Sequence, residues 1–424
     1  MKRIYFVDDE PRVVDGLRRM LRSQRDEWEM SFFHSGQAAL EAMAEREPDI
    51  VVSDMRMPGM NGAELLDEVR RRHPGTVRLI LSGQCDRSAV LDAAGPAHQF
   101  LSKPCSAEVL RNTISRIFDV QDQLANAEVR TAVSRLEALP VAANRLRIIS
   151  DVLSQPEISE AELIRLVTDD STLFTKCLQL VGSGFLGTQH AVSDPAEIVP
   201  ALGADTFRSL VFEKRIFPAL PEEPILETAA DLFQKMSRAT AETARRIAAE
   251  ETDDERTVRL AEMGGRLARI GVAVLAVIDP AKYVQIWRLS VRQKISRIEL
   301  EIQFFGVHRA DVGAYLLGLW GLSPQLVEIV RNASCPRRAP DRTFSALTAV
   351  HAACVLVDQA MSEMLHPNHP LDALYLQDVG VISRIDRWQQ IAGAVVEEFE
   401  LAPRLLRYTG EIFSPTATHI PAVL

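Results

Sequence analysis

Five chemically capable side chains stand where short apolar runs end. Asp8 and Asp9 follow Ile4-Tyr5-Phe6-Val7, and Asp54 closes Asp49-Ile50-Val51-Val52-Ser53-Asp54. Ser82 closes Arg78-Leu79-Ile80-Leu81-Ser82, and Lys103 comes soon after His98-Gln99-Phe100-Leu101. If these runs are parallel strands, their carboxyl ends form the rim where doubly wound sheets bind ligands. Three carboxylates gathered there would repel one another. A hard divalent cation with oxygen ligands, Mg²⁺ before others, resolves the repulsion and leaves room for a phosphoryl group. The Lys103 ammonium can neutralise phosphoryl oxygens, and the Ser82 hydroxyl can donate to one. An aspartate in such a place is a nucleophile able to form an acyl phosphate. Alone, an Asp-Asp pair is usually a solvated turn and Lys-Pro a helix start. Their joint occurrence at successive strand ends carries the inference.

The elements that must position these groups alternate. Helical patterns through Val13, Leu17, Met20 and Leu21, then Ala39, Leu40 and Met43, then Leu65, Leu66 and Val69 separate the apolar runs, with Met30-Ser31-Phe32-Phe33 as a further strand. Strands separated by helices mean βαβ units, and continuous apolar strands mean burial on both faces. The expectation is a doubly wound, five-stranded parallel α/β sheet. After Lys103-Pro104 the strand signals stop. Leu110, Ile114 and Ile117 form a helical stripe that is expected to run on past Leu124 towards Leu136. From Ala138 to about Pro403 nearly every segment has helical periodicity punctuated by prolines, so an all-α helical domain follows. The expected division is residues 1–120, a helical linker 121–137, the helical domain 138–403 and a C-terminal tail 404–424. Pro218 to Pro224 suggests a boundary between two helical lobes.

Composition narrows the function. At 424 residues, 47% hydrophobic and 25% charged, the chain has the make-up of two or three globular domains. A net charge of -10 argues against a nucleic-acid surface. The five cysteines lie far apart without a CxxC pair, as expected of reduced thiols. The start Met-Lys-Arg-Ile-Tyr-Phe-Val gives no expectation of a signal peptide, and Ile270 to Ile278 is too short to cross a bilayer. A cytoplasmic protein, acting away from membranes, is expected.

The first 118 residues resemble the response-regulator receiver family. The likeness rests on Val7-Asp8-Asp9-Glu10, Asp54-Met55-Arg56-Met57-Pro58-Gly59-Met60-Asn61-Gly62, Leu81-Ser82-Gly83 and Phe100-Leu101-Ser102-Lys103-Pro104. It implies a flavodoxin-like fold in which Asp54 takes phosphate from a cognate histidine kinase. It implies Mg²⁺ held by Asp9, Asp54 and the backbone carbonyl of Arg56, with Asp8 assisting. Ser82 would be the hydroxyl that swings to the phosphate, and Phe100 the aromatic that moves with it.

Residues 132–400 resemble the HDOD family, output domains related to HD phosphohydrolases but lacking their metal site. The likeness rests on Leu136-Glu137-Ala138-Leu139-Pro140, on Ile164 through Asp170-Ser171-Thr172-Leu173, on Ala201-Leu202-Gly203, and on Phe305-Gly306-Val307-His308-Arg309 running into Leu319-Trp320-Gly321-Leu322. Where HD enzymes carry a His-Asp metal pair, this chain has Ala268 and Arg269, and Val330-Arg331-Asn332-Ala333-Ser334-Cys335 stands where paired histidines would follow. His308 and Asp358 survive in isolation, and the resemblance implies an inactive domain with Arg269 in the metal's place. Only His366 and His369 are closely spaced histidines, in a proline-flanked loop. His308 and His351 stand singly, as packing histidines do.

The combined expectation is a non-enzymatic response regulator that signals through protein contacts with a downstream partner, with a homodimer as one route. An HD-type metal-dependent phosphodiesterase acting on cyclic dinucleotides is the alternative. A DNA-binding regulator ranks below it, since Arg331, Arg337 and Arg338 look like a solvated loop.

Overall fold

Ile50-Val51-Val52 and Leu79-Ile80-Leu81 are buried on both sides, as central strands between two helical layers must be. The computed structural model describes residues 1–83, 91–182, 195–213, 216–220, 224–361 and 370–401. Its five strands are β1 (Lys2–Val7), β2 (Trp28–Phe33), β3 (Ile50–Asp54), β4 (Val77–Ser82) and β5 (Gln99–Ser102). All pair in parallel in the order β2-β1-β3-β4-β5, the expected doubly wound topology. The helices α1 (Pro11–Met20), α2 (Gly36–Glu45), α3 (Gly62–Arg72) and α4 (Ala107–Gln123) flank it.

One expectation needs correcting. The stripe after Lys103 does not continue unbroken to Leu136. α4 stops at Gln123, Leu124 is extended (φ -110°, ψ 98°), and a separate helix α5 spans Ala127–Ser134. The cause is local: the Asn126 side chain accepts a hydrogen bond from Val129 N–H and caps α5, so the polar side chain starts a helix where the apolar stripe alone suggested continuity.

The second half is helical. Its longest helix, Pro224–Glu251, packs against Glu255–Leu267, Ala346–Ala360 and Ile385–Glu398. The proline-rich segment expected at a lobe boundary carries a bridge between Val141 and Ala219 just before that helix. His366, His369 and the tail 404–424 lie outside the described residues.

The halves share one apolar core. Val120 of α4 meets the helix Arg309–Leu319, where a Cβ on Gly318 would stand 2.7 Å from Val120 Cγ2. β5 is an edge strand, and an uncovered edge leaves backbone groups unpaired. Here the helical half covers it. Gln99 Nε2 donates to Gly318 O (3.1 Å) and Leu319 O (3.0 Å), while Gln179 Nε2 donates to His98 O at 2.8 Å. Lys176 Nζ donates to Ala94 O and Glu137 O, both at 2.6 Å. Arg78, fully buried on β4, donates from Nη2 to Ser134 O at 2.8 Å. His98 Nδ1 accepts from Arg78 N–H at 3.0 Å, which leaves Nε2–H to donate to Ser134 O at 3.0 Å. Burial, then the Arg78 charge, holds the His98 pKa well below its ordinary value.

Candidate functional site

β1, β3 and β5 deliver polar residues to the same rim. Asp8 follows β1 and is 3% exposed, and its Oδ1 accepts from Glu10 N–H at 3.0 Å. Asp54 ends β3. Its Oδ2 accepts from Arg56 N–H at 2.6 Å, which orients the carboxylate. Lys103 reaches in from the far side of the sheet. Its Nζ donates to Asp8 Oδ2 at 2.7 Å and also bonds Asp54 Oδ1. Burial disfavours the Lys103 charge, but the hydrogen bonds it donates to Asp54 and Asp8 outweigh it and raise the pKa above the ordinary lysine value.

The turn after Asp54 explains its own sequence. A Cβ at residue 62 would fall 2.2 Å from the Asp54 carbonyl oxygen, so the chain needs Gly62 to pass this close. Asn61 then starts α3 with a capping box, accepting from Glu64 N–H while Glu64 accepts from Asn61 N–H. These features fix Met55, Arg56, Met57, Pro58 and Asn61 as the wall of a cavity of about 500 Å³, lined also by Asp9 and Asp92.

The structure thus brings Asp8, Asp54 and Lys103 into contact and sets Asp9 and Arg56 on the adjoining cavity. Ser82 ends β4, whereas Phe100 is the second residue of β5, paired with Ile80; they are buried at 8% and 1% exposure. Lys103 N–H donates to Ser82 O at 2.6 Å, tying the two strand ends together. Asp92 is the residue that sequence reasoning missed; it sits beyond β4 in no recognisable pattern. Among the described residues no three His, Cys, Asp or Glu side chains group as a metal site by themselves. The oxygen set at the rim still suits a hard cation, because Mg²⁺ usually takes one or two carboxylates with waters and substrate phosphate oxygens.

In the helical half, Arg269 Nη2 donates to Asp358 Oδ1 at 2.7 Å and Cys354 O at 3.1 Å, and its Nε donates to Thr240 Oγ1 at 3.2 Å. Both side chains are nearly inaccessible, at 9% and 3% exposure. His308 caps its helix, accepting from Ala310 N–H through Nδ1, and burial followed by the nearby Arg309 and Arg338 pulls its pKa down to about 4. His351 uses both nitrogens: Nδ1 donates to Ala333 O at 2.8 Å and Nε2 accepts from Asp372 N–H at 3.1 Å. Arg337 and Arg338 pair with Asp372 and Asp311. No described helix is long and apolar enough to cross a membrane.

Comparison with known proteins follows the same division. Residues 4–115 match the response regulator receiver domain, and residues 139–336 match the HDOD domain. The DNA-binding transcriptional regulator NtrC of Escherichia coli K12 is 36% identical over 106 residues, covering 24% of this chain and 21% of that protein. The hydrogenase transcriptional regulatory protein HoxA of Cupriavidus necator is 32% identical over 120 residues, 28% of this chain and 24% of the other. The chain therefore spans a quarter or less of the length of these relatives. The solved structure of the MmoQ response regulator from Methylococcus capsulatus str. Bath is similar at 18% identity and a TM-score of 0.44, over 59% of this chain and 98% of that one.

Proposed function

The chain is a response regulator that joins a receiver domain (residues 4–115) to an HDOD domain (residues 139–336), and from that premise we propose that Asp54 accepts a phosphoryl group from a histidine kinase. The observation that carries this reading is the Lys103 ammonium shared between Asp8 and Asp54. In the transfer, an Asp54 oxygen bonds to phosphorus as the P–N bond of the kinase's phosphohistidine breaks, its electron pair returning to the imidazole. Lys103 then meets the new phosphoryl oxygens, and the Ser82 hydroxyl donates to one of them. Mg²⁺, held by Asp9, Asp54 and the Arg56 carbonyl with Asp8 assisting, would neutralise phosphoryl charge when bound.

The output half, in this reading, acts by contact. A hydrolytic metal centre needs free ligands and an open coordination position. Arg269 and Asp358 are spent on each other, His308 on a helix cap and His351 on two backbone groups. The HD-type phosphodiesterase is accordingly the weaker reading. The signal would travel through β5, which carries Phe100 beside Gln99. Displacing Phe100 shifts Gln99 against the end of the Arg309–Leu319 helix, and the loosened interface presents a docking face to a downstream protein or a second copy. The division proposed is receiver 1–120, linker 121–137, output 138–403 and tail 404–424, working in the cytoplasm.

Hydrogen exchange tests this relay. Acetyl phosphate with Mg²⁺ should lower amide protection in β5 and in the Arg309–Leu319 helix, and should leave Asp54→Asn unchanged. Identical protection with and without acetyl phosphate in the wild type would refute the relay.

A further inference from the structure

Arg297 opens the helix Arg297–Phe305 and is only 6% exposed. Two buried ion pairs act electrostatically on it. Arg269 is paired with Asp358 at 2.7 Å, and Arg309 Nε with Glu301 Oε2 at 2.7 Å. Tyr283 also donates its hydroxyl to Glu301, at 2.8 Å. Three guanidinium groups therefore face two carboxylates, and both carboxylates are claimed by the other arginines. Among the described residues no carboxylate lies within ion-pair distance of Arg297 and no oxygen accepts a hydrogen bond from it.

What holds Arg297 is an aromatic ring: its guanidinium carbon stands 4.5 Å from the centroid of Trp287. A guanidinium stacked on a ring keeps its in-plane N–H groups directed outward at the edge. A cation buried this deeply is costly unless an anion compensates it. Burial, followed by the nearby Arg309, works against its charge, and the Asp358 carboxylate, already paired with Arg269, offsets this only in part. The residue is also the first of its helix, where unpaired backbone N–H groups and the helix dipole favour negative charge. Side chains tilt toward the helix N-terminus, which brings the guanidinium and those N–H groups to one end. In the chain around it, exposed Arg292 and Lys294 precede Arg297 and one exposed acid, Glu299, follows.

We propose that Arg297 and the start of its helix form a binding subsite for a phosphate-bearing anion, either inorganic phosphate or the phosphate of a nucleotide. The test uses the full chain, titrated with sodium phosphate against sodium chloride of equal ionic strength, with adenosine and guanosine monophosphate as parallel arms. Heat on mixing and the thermal midpoint are read together. Phosphate at ten times its Kd should raise the midpoint by about 2 °C. The shift should persist in Lys103→Ala, which removes the cation of the receiver rim, and should vanish in Arg297→Gln. A nucleotide binding tighter than phosphate names the nucleotide as the source; equal binding names free phosphate. No saturable binding in the wild type, or a full shift surviving in Arg297→Gln, overturns the proposal. If Arg297→Gln fails to fold, Arg297→Lys decides: weakened affinity supports the subsite, and undiminished affinity overturns it.

Discussion

Gln99 donates its side-chain amide to the Leu319 carbonyl at 3.0 Å across 220 residues of sequence. The same amide serves the Gly318 carbonyl, and Phe100 follows it on β5. One short strand, which runs on to Lys103 at the rim, thus carries both a buried aromatic and the donor that meets a helix end in the other half. Gln99→Ala leaves two carbonyls without this donor in a buried interface. A loss of about 1–3 kcal/mol is expected in denaturant unfolding. Stability within a few tenths of a kcal/mol of wild type would mean that water replaces the amide and that the contact couples nothing.

Gly318 faces Val120 so closely that any added side chain collides with it. Gly318→Ala should therefore destabilise the junction by about 1–3 kcal/mol, as overpacking does. Val120→Ala in the same chain should recover some of that loss. A double-mutant cycle with no coupling between the two positions would show that the halves do not meet there in solution.

Arg269→Ala strands Asp358 as an unpaired buried carboxylate, and unfolding should show a loss of about 3–5 kcal/mol. The double variant Arg269→Met with Asp358→Leu should be much closer to wild type, since an apolar pair of similar size often replaces a buried ion pair at little cost. Should tightly bound transition metal instead appear in Arg269→Ala, the pair would be guarding a site and not merely filling one.

Lys176 supplies a pH signature. Burial pulls its pKa down to about 7, with the Glu137 charge opposing the shift and Arg78 adding to it. Between about pH 7 and the ordinary lysine value the unfolded chain holds this proton and the folded chain does not. Stability therefore rises with pH through that window, by up to about 1.4 kcal/mol per unit. Lys176→Met removes the slope. Parallel wild-type and Lys176→Met curves from pH 7 to 9 would contradict the placement of the amine against the Ala94 and Glu137 carbonyls.

The rim was legible because its groups lie at strand ends, where apolar runs stop and charged residues begin. Asp8, Asp54 and Lys103 could be gathered from spacing alone, and the structure puts them in contact. The covering of β5 was not legible. Gln99, Gln179 and Lys176 all donate to backbone carbonyls, and a backbone acceptor leaves no mark in the residue sequence. Asp92 went unnoticed for a related reason: tertiary position alone brings it to the cavity. The break at Leu124 is not legible from apolar spacing, which persists across it, because the Asn126 cap that ends the continuity is a single polar side chain. Arg269 stood out as a departure from a family pattern, but only the fold shows what it binds.

The most direct test of the account is the site of phosphorylation. Acetyl phosphate with Mg²⁺, followed by peptide mass spectrometry, should place one phosphoryl group on the peptide bearing Asp54. Asp54→Asn should take up none, and Lys103→Ala should still accept phosphate but lose the hydrogen-exchange response in β5. Labelling at another residue, or undiminished labelling of Asp54→Asn, would contradict the claim that the rim of β1, β3 and β5 is a phospho-acceptor.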